Sequence, residues 1–377
     1  MAKSQLGNIL VVAGARYLGH AYPLASLASA IRRLTNQSIR VCFVPLASGL
    51  GFPAANHFSK YADVVEVREE LAQPLDRRTP IGDYADLLRA YHLDCDDRIQ
   101  KYSSVIRAIF ETPLPSLVIT DSLPGVPQLA QSLGVPVIAM RSHGLRQRYE
   151  NGQFRDVFLD LPIDEEKIKA NRELSEKITS ALGVRVSGIS IDDLFYACPT
   201  VTPGFENFDV PPAVASDHAF MRLGSLQDKI VRSPSRNALV YIRDHVSRAH
   251  VFECLSASGL LPVVVDENAS SQVDFWGSDI CAAMLVSHGG HGMACAALYQ
   301  QLPHLTLADT DDRYTVSRRV ESCGAGIMLD TREGTLPSRE TIISALAMMP
   351  RMGESREWLN RNSLSPNDIA EWALKRY

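Results

Sequence analysis

The stretch AAMLVSHGGHGMACAALYQQLPHL, residues 282–305, contains the pattern that decides how this chain folds. A short apolar run typical of a buried strand meets Ser287-His288-Gly289-Gly290-His291-Gly292, and a run of small and apolar residues follows. Because glycine has no Cβ, consecutive N–H groups at the start of a helix are left unshielded and point at whatever lies before them. The stretch therefore predicts a strand-to-helix turn that binds an anion. A tight turn without a ligand is the alternative that the glycines alone leave open.

Short apolar runs alternate with longer amphipathic ones in the first half of the chain. NILVVAG (8–14) precedes a segment with apolar residues at helical spacing (20–34), and IRVCFVP (39–45) follows it. These three runs predict a β-α-β unit, and strands that alternate with helices imply a parallel sheet covered on both faces. The charged segment 146–182 is helical in pattern and shows no strand signal, so we expect an excursion from the sheet there.

A second series of strand-like runs begins after the passage 198–218, which is rich in proline and predicts a linker. We therefore predict an α/β protein made of two doubly wound domains, residues 1–215 and residues 216–377. Ligands of such sheets bind outside the carboxyl ends of the strands, so two facing halves would form a cleft.

Composition excludes several classes of function. The 377 residues carry a net charge of -5 and have a pI near 6.1, which gives no field that attracts nucleic acid. No run of about 20 apolar residues predicts a membrane span, and the N-terminus lacks the pattern of a signal peptide. The seven cysteines are odd in number and scattered, as in a reducing compartment. We expect a cytoplasmic protein.

A second glycine turn, GARYLGHA (14–21), has the glycine spacing of a P-loop. His20 and Ala21 stand where a P-loop needs lysine and a serine or threonine, so the turn argues against ATP-type phosphoryl transfer. His288 and His291 lie three residues apart with no third ligand nearby, so we expect no metal site. Neither turn has the G-x-S-x-G pattern of an acyl-transfer nucleophile.

The segment VSHGGHGMACAALYQQLPHLTLADTDDRYTVSRRVESCGAGIML (286–329) resembles the donor-binding signature of GT-B glycosyltransferases. The resemblance is to the UDP-glycosyltransferase and natural-product glycosyltransferase families. Pro303 stands fifteen residues after His288, and Asp312 falls at the signature's acidic position. GHAYPLASLASAI (19–31) and PSLVITDSLPGVPQLAQSLGVPVI (115–138) resemble N-terminal segments of the same families in the same order.

The resemblance implies a GT-B fold of two Rossmann-like domains, with the acceptor bound by residues 1–215 and the nucleotide-sugar donor by residues 216–377. It also implies that the terminal helix packs back on the first domain. The reaction would be displacement at the anomeric carbon with inversion, without a metal or other cofactor. His20 would be the general base, since its near-neutral pKa suits that task, and Asp121 would orient the imidazole and stabilise the imidazolium.

The remaining site residues predicted from the resemblance fall into two groups. The donor would contact Ser287, His288, Gly289, Gly290, His291, Gly292, Asp312, Arg313 and Arg243. The acceptor would contact Gly19, Arg141 and His143, although an interior hydrogen-bonded pair is an equal alternative for Arg141 and His143. The partners are thus a nucleotide sugar and a small, specialised-metabolite acceptor, bound by a monomer or homodimer.

Three positions depart from the family pattern. Ala296 replaces the glutamate that accepts bonds from both ribose hydroxyls, which makes a dTDP-sugar more plausible than a UDP-sugar. Arg313 replaces the expected glutamine, and the loop RDHVSRAH (243–250) is charged where the family has small residues. These changes leave two alternatives to an inverting transferase. One is a non-catalytic GT-B binding protein, and the other is a nucleotide-sugar epimerase or hydrolase on the same fold.

Overall fold

The computed structural model describes the following residues: 8–14, 18–44, 58, 62–66, 83–111, 113–141, 148–150, 153–155, 162–204, 218–221, 235–242, 244–265, 281–349 and 363–376. They divide into two compact units. Unit 1 contains the described residues up to Pro203, those from 218 to Met221, and those from Leu364 onward. Unit 2 contains the other described residues, which lie mainly between 235 and Ser363.

The described residues of unit 1 form an eight-stranded sheet in the order β16-β10-β9-β5-β4-β1-β2-β3. Its strands are β1 (Ile9–Ala13), β2 (Ile39–Phe43), β3 (Asp63–Glu66), β4 (Leu117–Asp121), β5 (Val137–Met140), β9 (Thr200–Pro203), β10 (His218–Met221) and β16 (Ser363–Leu364). All of these strands except β16 pair in parallel with their neighbours in the sheet. Every residue of β1 and β4 is buried, as expected for parallel strands covered on both faces.

Helices flank this sheet: α1 (Leu18–Thr35), α2 (Tyr84–Ala90), α3 (Asp96–Glu111), α4 (Val126–Ser132), α5 (Glu165–Ala181), α6 (Ile191–Tyr196) and the terminal α11 (Pro366–Leu374). α11 buries Ala370 and Ala373, and its Asn367 Oδ1 accepts a hydrogen bond of 2.9 Å from Arg33 of α1. The terminal helix thus packs on unit 1.

Two details of unit 1 differ from what the sequence pattern predicts. The passage 198–218, which predicts a linker, contains β9 and the first residue of β10. β10 lies beyond the boundary that we placed after residue 215, yet it pairs with β9 in the sheet of unit 1. The segment 146–182 is not purely helical. Its first part forms a small antiparallel sheet of β6 (Arg148–Glu150), β7 (Gln153–Arg155) and β8 (Pro162–Ile163) before α5 begins. Strands of two or three residues are too short to give an alternating pattern, which explains the error.

The described residues of unit 2 form a five-stranded parallel sheet in the order β12-β11-β13-β14-β15. The strands are β11 (Asn237–Tyr241), β12 (Leu261–Val264), β13 (Met284–Ser287), β14 (His304–Ala308) and β15 (Gly326–Asp330). They alternate with α7 (His245–Ala257), α8 (His291–Gln300), α9 (Asp311–Ser322) and α10 (Arg339–Ala347). A core that includes Val240, Val286 and Leu305 fills the space between the sheet and its helices.

Candidate functional site

Each sheet has a topological switch point, where the strand order reverses and ligands of open α/β sheets bind. In unit 1 the chain runs from β1 to β2 and β3 on one side and then crosses to β4 on the other. The switch point therefore lies between the carboxyl ends of β1 and β4. In unit 2 the same reasoning places it between β11 and β13. The predicted turns 14–21 and 287–292 start at these two positions.

The turn after β13 is held in one shape by Gly289. Its φ of +81° belongs to the left-handed region, and a Cβ there would lie 2.1 Å from Ser317 Oγ. Only glycine fits, because any side chain would meet both a strained backbone and a buried neighbour. The N–H of Gly289 donates a hydrogen bond of 3.0 Å to Ser287 Oγ. Ser287 is fully buried, so its hydroxyl serves the turn itself.

Gly290 has a different environment from Gly289. It is the N-cap of α8 with φ -63° and ψ 146°, a conformation that any residue adopts, and it offers no side-chain cap to the helix. A Cβ at Gly290 would meet no atom of the described residues within 4 Å. The protein does not need glycine here for its own packing. The space before the N-terminus of α8 is therefore open to a ligand. The helix dipole would favour an anionic ligand at this position.

α8 consists largely of small and apolar residues, and all of it except Gly292 is buried. Ala294 and Ala296 are fully buried, so position 296 offers a ribose neither a carboxylate nor exposed surface. His291, predicted to bind the donor, is 7% exposed and directs Nε2 toward Cys295 Sγ at 3.6 Å. Its side chain thus contacts its own helix, and its backbone lies at the turn beside Gly292.

His288 lies at the start of the turn, next to a carboxylate that the sequence pattern did not single out. Its Nδ1 is 3.5 Å from Asp309 Oδ2, and Asp309 Oδ1 accepts a hydrogen bond from Arg313. Asp309 therefore links two residues that were predicted to contact the donor. The available signal was its place directly after β14, at the same sheet edge as His288.

Two further acidic groups lie at this edge. Asp312, in the first turn of α9, accepts a hydrogen bond from the hydroxyl of Thr310. The positive end of the helix dipole stabilises a carboxylate at this position. Asp244 caps α7 after β11, and the hydroxyl and N–H of Ser247 lower the pKa of its carboxyl, with a smaller contribution from the charge of His288. His288 is thus near the switch point on the β11 side too. Arg243, also predicted, lies outside the described residues.

The switch point of unit 1 carries Asp121. Ala13 of β1 pairs with Asp121 in register, and the N–H of Gly14 donates 2.9 Å to its backbone oxygen. The Asp121 side chain is 1% exposed and accepts a hydrogen bond of 2.9 Å from Ser122 Oγ. Gly19 and His20 lie in the first turn of α1, which begins at Leu18 beyond the end of β1. The His20 side chain, and with it any contact to Asp121, lies outside the described residues.

Arg141 follows β5 and is fully buried. It is 3.4 Å from Asp192 Oδ2, and its guanidinium lies 4.2 Å from the ring centroid of Tyr196. Burial works to lower the pKa of Arg141, but Asp192 and the phenols of Tyr84 and Tyr196 leave it raised overall. Arg141 thus forms an interior ion pair with Asp192. The alternative pairing of Arg141 with His143 stays a prediction. His143 lies outside the described residues.

The described residues contain neither a metal-ligand cluster nor a membrane-spanning helix. No group of three or more His, Cys, Asp or Glu side chains there is arranged to hold a metal ion. No helix among them is both long and apolar enough to cross a membrane.

Comparison with known proteins shows a likeness in structure. No family model and no curated protein matches the sequence. The glycotransferase of kitacinnamycin has a TM-score of 0.63 and 15% identity, with 98% of both chains covered. CalG4, the calicheamicin glycosyltransferase, has a TM-score of 0.62 and 16% identity, also over 98% of both chains. SsfS6 of Streptomyces sp. SF2575, complexed with thymidine diphosphate, has a TM-score of 0.58 and 17% identity, over 98% of this chain and 100% of its own. The predicted GT-B fold and the predicted resemblance are confirmed.

Proposed function

We propose that this protein is an inverting glycosyltransferase, which moves a sugar from a nucleoside diphosphate to a small-molecule acceptor. The observation that carries the proposal is the turn of unit 2. It lies at a switch point, it is fixed by Gly289, and it leaves open space in front of Gly290 at the start of a helix. The whole-length likeness to glycosyltransferase structures supports the same assignment.

The donor diphosphate would bind at the N-terminus of α8. Backbone N–H groups from Gly290 onward supply hydrogen bonds, and the helix dipole supplies a partial positive charge. His288 is 14% exposed beside the turn and is placed to add a side-chain donor. These groups would stabilise the charge that develops on the leaving nucleoside diphosphate, without a metal ion.

The chemical step would use the switch point of unit 1. His20 would accept the proton of the acceptor hydroxyl while the oxygen of that hydroxyl forms a bond to the anomeric carbon. The bond from that carbon to the diphosphate oxygen breaks, and its electron pair leaves with the nucleotide, so the anomeric configuration inverts. Asp121, buried and held by Ser122, would orient the imidazole of His20 and stabilise its charged form.

We infer the donor base from Ala296 and the acceptor class from the names of the structural neighbours. Ala296 supplies no carboxylate to a ribose, which favours deoxyribose donors, and SsfS6 forms a complex with thymidine diphosphate. We therefore propose a dTDP-sugar. The neighbours are named for kitacinnamycin and calicheamicin, which supports an acceptor of the specialised-metabolite class.

The proposal is tested by calorimetric titration of the protein with dTDP, UDP and GDP, followed by assays with the matching nucleotide sugars and a panel of acceptors. We expect one nucleoside diphosphate to bind and its sugar to be transferred. Tight binding with no transfer and no nucleotide release would favour the non-catalytic GT-B reading. Nucleotide release that does not depend on an acceptor would favour a hydrolase.

A further inference from the structure

The buried His304 contacts the turn 287–292. We call this segment the donor turn, because we propose that the donor diphosphate binds there. His304 is the first residue of β14, and its Nε2 lies 2.7 Å from Ser287 Oγ at the end of β13. The two strands are neighbours, with His304 opposite Leu285 in register. Ser287 Oγ also accepts the N–H of Gly289. Imidazole, hydroxyl and amide thus form one connected set behind the open face of the turn.

The direction of these hydrogen bonds follows from counting donors and acceptors. The N–H of Gly289 donates to Ser287 Oγ, which leaves the hydroxyl hydrogen of Ser287 to donate to Nε2 of a neutral His304. The reverse direction would leave both that hydroxyl hydrogen and the Nδ1 lone pair unused. In the direction we assign, only the Nδ1–H lacks a partner, and Nδ1 has none in the part of the chain that the structure describes.

His304 remains neutral at every pH at which the protein is expected to work. Complete burial lowers the pKa of His304 to about 3, so the imidazole gains no proton on titration from pH 9 to pH 5. Nε2 stays available as an acceptor over this range. The hydrogen-bond set therefore keeps one direction, which suits a fixed support.

We propose that His304 is a positioning residue for the donor diphosphate, acting through Ser287 on the N–H of Gly289. This inference rests on the proposed binding of a diphosphate at the turn. The Ser287 hydroxyl has one preferred orientation only while His304 accepts from it, and in that orientation its oxygen faces Gly289. A fixed Gly289 in turn fixes the direction of the N–H groups that follow, from Gly290 onward.

The cost of His304 to stability supports a functional role. A buried N–H without a partner is unfavourable, and an apolar side chain of similar volume would remove it. Packing alone would therefore favour leucine or methionine at this position. Among the described residues the Nδ1–H of His304 has no partner, so the hydrogen bond from Ser287 to its Nε2 is the better explanation for a histidine at this position.

The test compares three single variants by calorimetric titration with dTDP and UDP and by thermal unfolding. His304→Met removes the acceptor, and we expect nucleotide affinity to fall roughly three- to tenfold with little change in melting temperature. His304→Gln offers an amide oxygen near the position of Nε2 and should restore affinity to within about twofold. His250→Met is the matched control, because the partner of His250 Nε2, at 2.9 Å, is Pro337 O in the same unit and not Ser287.

A double-mutant cycle checks the route through Ser287. If His304 acts through this hydroxyl, adding His304→Met to Ser287→Ala should change affinity by less than about twofold. Additive losses, an unchanged affinity in His304→Met, or a His304→Gln variant as weak as His304→Met would overturn the inference. Failure of the wild type to bind any nucleoside diphosphate would overturn the proposed function and this inference with it. Binding by the wild type together with an unaffected His304→Met would overturn the inference alone.

Discussion

Substitution of Gly290 separates ligand binding from folding at the donor turn. The residue has φ -63° and ψ 146°, which valine adopts readily, and in the part of the chain that the structure describes a Cβ there meets no atom within 4 Å. Gly290→Val should therefore leave the free energy of unfolding within about 1 kcal/mol of the wild type, and the loss of a flexible glycine from the unfolded chain tends to stabilise.

The effect of Gly290→Val on binding should be far larger. The valine side chain would occupy the space in front of α8 and keep a diphosphate from the nearest N–H groups. A hydrogen bond to a charged group contributes about 1.5–3 kcal/mol, so losing two of them costs about 3–6 kcal/mol. That corresponds to a rise in Kd of roughly 10²–10⁴-fold.

Isothermal titration with dTDP and UDP measures the binding, and urea unfolding measures the stability of the same preparations. Gly289→Ala is the contrasting variant. Its φ of +81° and the approach of a Cβ to 2.1 Å from Ser317 Oγ predict a loss of stability as well as of binding. A Gly290→Val protein that folds and binds nucleotide with the wild-type Kd would refute the assignment of the turn.

Three other predictions concern the reaction, the donor base and the core. His20→Ala should lower turnover by roughly 10²–10⁴-fold while dTDP affinity stays unchanged. In the double variant, Asp121→Asn should add little to that loss of turnover, which single-turnover assays measure. By competition titration, dTDP should bind at least as tightly as UDP, and a tenfold preference for UDP, about 1.4 kcal/mol, would show that another group replaces the carboxylate absent at Ala296. Arg141→Met should destabilise unit 1 by about 3 kcal/mol, because Asp192 is left without its cation, and Arg141→Met with Asp192→Leu should recover most of it in urea unfolding. Equal stability of the wild type and Arg141→Met would contradict that role.

The architecture was predictable because it depends on local periodicity. Fully buried runs that are apolar or begin with apolar residues, such as Ile9–Ala13 and Leu117–Asp121, mark parallel strands, and the helical spacing after each run marks the connections. The turn at 287–292 was predictable for a similar reason, since its glycines are adjacent in sequence. The strands β6 to β8 were missed because each is too short to show a period.

The contacts of the donor turn depend on tertiary structure and were not predictable. Asp309 reaches His288 only because β14 lies beside β13 in the sheet, a pairing that no local pattern specifies. His291 was predicted to contact the donor, and the structure adds that its buried imidazole lies 3.6 Å from Cys295 Sγ on its own helix. Its contact with the donor stays a prediction. Ser287 was named for the donor, and its hydroxyl is engaged by Gly289 and His304. The sequence located the turn without showing which side chains face outward.

The most direct test of the account is sugar transfer itself, measured with the wild type and His20→Ala side by side. Each protein is incubated with dTDP- and UDP-sugars and a panel of neutral hydroxyl acceptors, and mass spectrometry follows the glycosylated acceptor and the released nucleotide. The account predicts that the wild type forms acceptor glycoside and nucleoside diphosphate in equal amounts, with His20→Ala slower by roughly 10²–10⁴. A wild type that binds nucleotide yet transfers no sugar, or a His20→Ala protein that transfers it at the wild-type rate, would contradict the account.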